Sequence, residues 1–199
     1  WGTRISIGRL METASPEYIL YGILSDYGFR PAMVKQIYEN INGQTGRQWM
    51  SMEYIAAIDR GYIDIARRRD TFTEMTLPIE GCYVVDGDAR IDIRAVEVEG
   101  KFLPETDPMV ASLDASRVRF PLTLRRVMRD DRFIPLGMRG SKLVSDFLTD
   151  RKMSIIAKRR QLCLVDAGGD ILWLVGHRIH ERYKISGDTI KAIVVRYIQ

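Results

Sequence analysis

Six consecutive residues, Gly137-Met138-Arg139-Gly140-Ser141-Lys142, have the types and spacing to hold an anion. Two glycines three apart let the backbone turn tightly and approach a ligand closely. Ser141 is suited to cap a helix beginning just after it. Such a helix would aim free N–H groups and its positive dipole end at the ligand. Arg139 and Lys142 add two full charges, so a phosphate suits the site. A Walker A loop needs four residues between its glycines and Lys directly after the second, so triphosphate binding by this loop is excluded. The Gly-x-x-Gly also matches the clamp loop of KH domains, but without the KH order of flanking elements. The competing reading is a plain loop-to-helix turn with exposed charges.

Further cations flank this loop: Arg125-Arg126, Arg151-Lys152, Lys158-Arg159-Arg160 and Arg178. Gathered on one face, they would form a groove for a phosphate backbone, each contact adding salt dependence rather than sequence readout. Alternatively, half of them are ordinary surface charges paired with Asp130, Asp131, Asp146 or Asp150. Tyr183, between Arg182 and Lys184, is the one aromatic with a setting that suits a base or ribose contact. Trp49 and Trp173 read as core and rim.

Other chemistries find little support. His177 and His180 are three apart, but no Cys or carboxylate cluster accompanies them, so a metal site is not expected. Serines and aspartates are present without a nucleophile elbow. Cys82 and Cys163 have no ligand-like spacing and read as reduced thiols rather than a disulfide scaffold.

The chain has 199 residues, 46% apolar and 28% charged, as in an ordinary globular protein. Its net charge of +4 is unevenly spread. Residues 1–120 carry 14 Lys/Arg against 18 Asp/Glu, residues 121–199 carry 16 against 8, and 121–160 alone carry 11 against 4. Such asymmetry suggests that the second half meets a polyanion. No apolar run approaches the ~20 residues of a membrane helix. Trp1-Gly2-Thr3-Arg4 offers neither an initiator Met nor an apolar leader, which suggests a piece of a longer chain. The expected setting is soluble and cytoplasmic.

Periodicity supplies the elements that must position these residues. Ser15-Pro16-Glu17 starts a helix with Ile19, Leu20, Ile23 and Leu24 on one face, and Arg30-Pro31 starts a second with Val34, Ile37, Tyr38 and Ile41. Short strands follow at 48–50, 54–58 and 62–66, with a tight turn at Asp59-Arg60-Gly61. Arg67-Arg68-Arg69-Asp70 is a charged break. A second hairpin spans 82–85 and 89–98, and 100–116 reads as a connection. Residues 118–127 read as a strand interrupted at Pro121, hence an edge or a bulge. A short helix carries Leu143, Val144, Phe147 and Leu148; a hairpin joins 162–165 to 171–175; a last strand covers 190–198. The fold class is α+β: a small helical hairpin region, then a mixed, mainly antiparallel β domain with a short helix. The division falls at 1–70 and 71–199, with the core motif at 117–199.

The runs PLTLRR (121–126), RFIPLGMRGSKLVSDFLTDRK (132–152) and ILWLVGHRI (171–179) resemble the C-terminal domain of bacterial tRNA(Ile)-lysidine synthases. YGFRPAMVKQIYENINGQTGRQWMS (27–51) and IDRGYIDI (58–65) resemble the domain that follows the catalytic domain in that family. The resemblance covers nearly the whole chain. It implies an enzyme that activates cytidine 34 of tRNA(Ile) with ATP and Mg, then attaches lysine to form lysidine. The adenylating Ser-Gly-Gly-x-Asp-Ser loop has no counterpart here, since Gly168-Gly169 fall in a hairpin turn. The resemblance therefore implies a non-catalytic, tRNA-binding portion without its own cofactor, acting on tRNA(Ile) with a CAU anticodon. ATP and lysine would be bound mainly by an N-terminal domain outside this chain, and a homodimer is admitted. The implied tRNA contacts are Arg125, Arg126, Arg139, Gly140, Lys142, Arg151, Lys152, Lys158, Arg159, Arg160 and Arg178. Two other readings stay open: a stand-alone nucleic-acid module, and a protein-interaction module docking through ILWLVG or the helical hairpin.

Overall fold

The structure, a computed structural model, describes residues 2–68, 72, 74–98, 100 and 102–198. The chain divides into two compact units, residues 1–70 with 154–157 and residues 71–153 with 158–199. Arg69 and Asp70 of the charged break lie outside the described residues.

The first unit contains β1 (Thr3–Ser6), α1 (Ile7–Met11), α2 (Pro16–Asp26), α3 (Pro31–Glu39), β2 (Gln48–Met50), β3 (Tyr54–Asp59) and β4 (Tyr62–Arg67). Both longer helices begin at Pro, whose fixed φ and missing N–H suit a first helical turn. The strands form an antiparallel sheet in the order β1-β4-β3-β2. Arg60 and Gly61 both take positive φ, +47° and +80°, the two-residue hairpin turn whose twist matches its strands. Strand alternation then sends Ala56, Ile58, Ile63 and Ile65 into a core with Leu20, Leu24, Val34 and Ile37 of the helices. Across the β1–β4 ladder Arg4 faces Asp64 and grips it bidentately, at 2.6 and 3.0 Å. The sequence reading missed β1 and α1, whose nine residues are too few for a clear period.

The second unit contains β5 (Met75–Leu77), β6 (Gly81–Asp86), β7 (Ala89–Glu97), β8 (Val110–Asp114), β9 (Leu122–Arg126), β10 (Arg132–Phe133), β11 (Lys142–Leu143), α4 (Val144–Asp150), β12 (Leu162–Val165), β13 (Ile171–Leu174) and β14 (Lys191–Ile198). A further helix, α5 (Ile155–Arg160), precedes β12, and of its residues Lys158–Arg160 count with this unit. Two four-stranded antiparallel sheets, β13-β12-β9-β5 and β6-β7-β14-β8, bury a shared core. It holds Leu77, Leu122, Leu124, Leu164 and Trp173 from the first sheet and Ile91, Ile93, Leu113 and Val195 from the second. The opposite face of the first sheet presents Cys163, Val165, Ile171 and Leu174 to Phe133, Val144, Phe147 and Leu148. That sheet is covered on both faces, which explains why ILWL is apolar at every position.

Three expectations need correction here. Residues 100–116 are not merely a connection: Val110–Asp114 pairs with β14, a partner some 80 residues away that local pattern cannot reveal. β9 is not an edge strand, because it lies between β12 and β5, with Pro121 just outside the ladder where its missing N–H removes no bond. The ILWLVG strand offers no docking face, since Ile171–Leu174 are at most 3% exposed.

Because Leu164 is fully buried in the core shared by both sheets, Leu164→Ala is expected to cost about 2–5 kcal/mol. Val84→Ala, at a position 60% exposed, should change stability by less than about 0.5 kcal/mol. Urea denaturation of the two variants checks both.

Candidate nucleic-acid interface

The anion-binding loop is built differently from its sequence-based expectation. β10 and β11 pair antiparallel, Arg132 with Leu143 and Phe133 with Lys142, so residues 134–141 are a hairpin loop rather than a loop-to-helix turn. Gly137 takes φ +86°, a conformation other residues adopt only with strain. Gly140 keeps an ordinary φ and open space around it, so no close approach there demands glycine. Ser141 does not cap a helix. Lys142 and Leu143 are drawn into the β ladder, and α4 starts only at Val144, without a side-chain cap. Its seven residues begin one strand away from the loop, so the helix-dipole argument fails. The Ser141 hydroxyl instead accepts a long bond from Arg132 Nε, 3.4 Å.

The loop is fastened to residues 178–181. Leu136 N–H donates to the Ile179 carbonyl (2.9 Å), Glu181 N–H to the Ile134 carbonyl (2.7 Å), and Arg178 Nη1 to the Leu136 carbonyl (2.9 Å). Gly137 N–H donates to Glu181 Oε2 at 2.7 Å, and the other oxygen of that carboxylate pairs with Lys184. Both contacts, the Gly137 N–H foremost, hold the Glu181 carboxyl below its ordinary range.

The predicted cations separate by partner. Arg125 is only 13% exposed at its side chain and clamps Asp131 through two bonds of 2.7 and 2.9 Å. Asp131 also accepts from Met128 N–H (2.7 Å), so the pair closes the turn after β9. The Asp131 carboxylate raises the Arg125 pKa, the expected effect of an opposite charge in hydrogen-bond contact. Arg125 is thus committed to structure.

The last turn of α4 gathers four others. Asp150 pairs with Lys142, Thr149 Oγ1 accepts from Lys158 (2.7 Å), Arg151 lies over the Phe147 ring at 4.4 Å, and Lys152 follows. Arg126 donates to the Arg159 carbonyl (2.9 Å), bringing the ends of β9 and α5 together, and Arg160 is half-buried beside Arg159. Arg139, Lys152 and Arg159 are exposed, with no side-chain partner among the described residues. Arg178 is exposed at the base of the loop. The cations therefore fall into two groups, one on the α4–α5 turns and one on the 134–141 loop.

The sequence reading also missed residues. Arg129 is exposed without a partner among the described residues, and Arg132 has only its long contact with Ser141. Both lie within the basic 121–160 run, which was the available signal. Tyr183 proves unsuited to base contact. It is 1% exposed and donates to Asp170 Oδ2 at 2.8 Å, and burial together with that bond pushes its phenol up to about 12. Asp170 also binds Arg182 (2.9 Å), while Arg119 binds Asp166 (3.0 Å). His180 Nδ1 accepts from Arg182 N–H and His177 Nε2 meets Gln161 Oε1; burial lowers both imidazole pKa values. Among the described residues no group of three His, Cys, Asp or Glu could hold a metal ion. None of the described helices is long and apolar enough to cross a membrane.

Fold and site define an α+β protein whose second unit displays cations at two loop-and-turn surfaces. Residues 2–68 match the family model of the TilS substrate binding domain. The chain is 32% identical over 202 residues to the tRNA(Ile)-lysidine synthase of Parabacteroides distasonis, covering 98% of this chain and 44% of that protein. It is 32% identical over 198 residues to that of Bacteroides thetaiotaomicron, covering 98% and 43%. A solved structure, the TILS C-terminal domain, shares the fold with a TM-score of 0.54 and 21% identity, covering 63% of this chain and 95% of that one. Over nearly its whole length the chain is similar to tRNA(Ile)-lysidine synthases, and it spans less than half the length of these relatives.

Two substitutions separate structure from surface charge. Arg125→Ala leaves Asp131 with the Met128 N–H but without a charge partner and is expected to cost about 1–3 kcal/mol. Lys152 holds φ +58° just past α4, so Lys152→Gly should relieve strain and stabilise by about 0.5–1 kcal/mol while removing a charge. Thermal unfolding followed by circular dichroism reads both.

Proposed function

We propose that this chain is the tRNA-holding part of a tRNA(Ile)-lysidine synthase, with the adenylating chemistry carried by a part of the enzyme outside it. Its substrate is tRNA(Ile) with a CAU anticodon. ATP, Mg and lysine are bound mainly by the outside part, and the enzyme works in the cytoplasm. The observation that carries this reading is the meeting of family and charge. A chain similar to this family gathers Lys142, Arg151, Lys152 and Lys158 around the last turn of α4, with Arg126 joined to Arg159 at the end of α5.

The chemistry follows from the groups present. Arg and Lys side chains meet phosphate oxygens by charge-assisted hydrogen bonds. Those contacts set register on the RNA without reading bases. Lys142 and Lys158 are already oriented by Asp150 and Thr149, so ordering them on a phosphate costs little rotamer entropy. Arg139, Lys152 and Arg159 carry no internal competitor among the described residues and supply most of the counterion release. Arg125, being clamped to Asp131, contributes by holding β9 to its turn rather than by touching RNA.

The test is binding of this chain to unmodified tRNA(Ile) bearing CAU, against elongator tRNA(Met), at two salt concentrations. Tighter, salt-sensitive binding to tRNA(Ile) is expected. The charge reversals Arg139→Glu and Lys152→Glu together should weaken it at least tenfold and flatten the salt slope by roughly two phosphate contacts. Unchanged affinity in that double variant would refute the assignment of these residues.

A further inference from the structure

The amide of Gly137 is the centre of a small cationic site that already holds an anion, and that anion is the protein's own. Glu181 Oε2 accepts the Gly137 N–H at 2.7 Å, and Oε1 pairs with Lys184. Arg178 stands alongside, its Nη1 3.9 Å from where a Cβ on Gly137 would lie. That guanidinium spends one N–H on the Leu136 carbonyl and has others to give. Gly137, at φ +86°, turns its amide toward this position, and Arg139 is two residues further along the same loop. One backbone donor and one ammonium thus hold a single carboxylate, whose side chain is 27% exposed, and a guanidinium stands beside the glycine that supplies the donor.

We propose that Glu181 is an internal occupant of an anion site, displaced by a backbone phosphate when RNA binds. The idea rests on the RNA-binding reading and deepens it. The exchange is conservative: one phosphate oxygen takes over the Gly137 N–H and a second takes over Lys184. The spare N–H groups of Arg178, beside Gly137, are available to share either terminal oxygen. A carboxylate presents two acceptor oxygens and one negative charge, whereas a phosphodiester presents two terminal oxygens and two bridging ones along a chain of further charges. The polyanion therefore competes well, and Glu181 swings to solvent, where its charge is hydrated. Until then Glu181 neutralises Lys184 and keeps the loop from binding stray anions. Asp131 and Asp166 also combine a guanidinium with backbone amides, but their side chains are 12% and 0% exposed, so neither opens to an incoming phosphate as Glu181 does.

The test uses the whole chain and four substitutions. Glu181→Gln keeps an acceptor for the Gly137 N–H but removes the charge; Glu181→Ala empties the position. Asp146→Asn removes one exposed carboxylate of the same unit as a control for net charge. The Glu181 variants are expected to bind tRNA several-fold more tightly than the parent, with a salt slope steeper by about one phosphate contact. Asp146→Asn should gain little, and Lys184→Ala added to Glu181→Ala should abolish the gain. Weaker or unchanged binding in both Glu181 variants would overturn the proposal, showing Glu181 to be only a clip that holds the loop. An equal gain with Asp146→Asn would overturn it too, by reducing the effect to net charge. A second measurement is independent of RNA: inorganic phosphate is titrated while the Gly137 amide resonance is followed. A larger shift at lower phosphate in Glu181→Gln than in the parent supports the site, and no shift in either refutes it. If the parent binds no tRNA, the RNA reading fails, and the phosphate titration still decides whether the anion site exists.

Discussion

Burial of the β13-β12-β9-β5 sheet on both faces is the constraint on which the second unit depends. One face contributes Leu122, Leu124, Leu164 and Trp173 to the core shared with the other sheet. The opposite face packs Cys163, Val165 and Leu174 under Phe133, Phe147 and Leu148. A strand covered on both sides has no room for a solvated side chain, so its charges must leave at the strand ends. β9 shows this directly: Leu122 and Leu124 are fully buried, while Arg125 and Arg126 emerge at the margin. The basic character of the unit is thus displaced to the loops and short helices around the sheet. Burial also sets the thiol of Cys163, pushed up to about 12 by desolvation, which keeps it protonated and inert.

At that margin most cations are not equivalent. A guanidinium taken out of water needs a partner, and Arg125 has Asp131. Arg119 and Arg182 likewise spend charge on Asp166 and Asp170 around the turn between β12 and β13, with the buried Tyr183 hydroxyl on the same carboxylate. These pairs brace loops. The cations on the last turn of α4 and on the 134–141 loop stand further out, where an ion pair is worth little in water and yields readily to a phosphate. A single basic run in sequence therefore divides into braces and contacts, and only the surroundings of each residue tell which is which.

Within the proposed function, the family resemblance and the surface charge point to one kind of partner through different residues. The family model matches the first unit, residues 2–68, whose structure is a helix-backed sheet held by Arg4 on Asp64. The excess of cations lies in the second unit.

Much was legible in the sequence because it depends on near neighbours. Pro16 and Pro31 mark helix starts, Arg60-Gly61 and Asp86-Gly87-Asp88 mark hairpin turns, and the quoted runs carried the family resemblance. The α+β class followed from those elements. What the sequence could not show depends on distant partners. β8 exists because β14 pairs with it; β9 is interior because β5 and β12 flank it. Ser141 fails to cap a helix because Lys142 and Leu143 are claimed by Arg132 and Phe133. Arg125 and Tyr183 left the candidate interface once Asp131 and Asp170 were brought to them, while Glu181 reached Gly137 from 44 residues away. Residue types and local periods determined which groups were available and which elements would carry them. Tertiary structure alone decided which charges were neutralised, because the energy of a charge depends on its partner and its distance from water, and neither is written in the order of the chain.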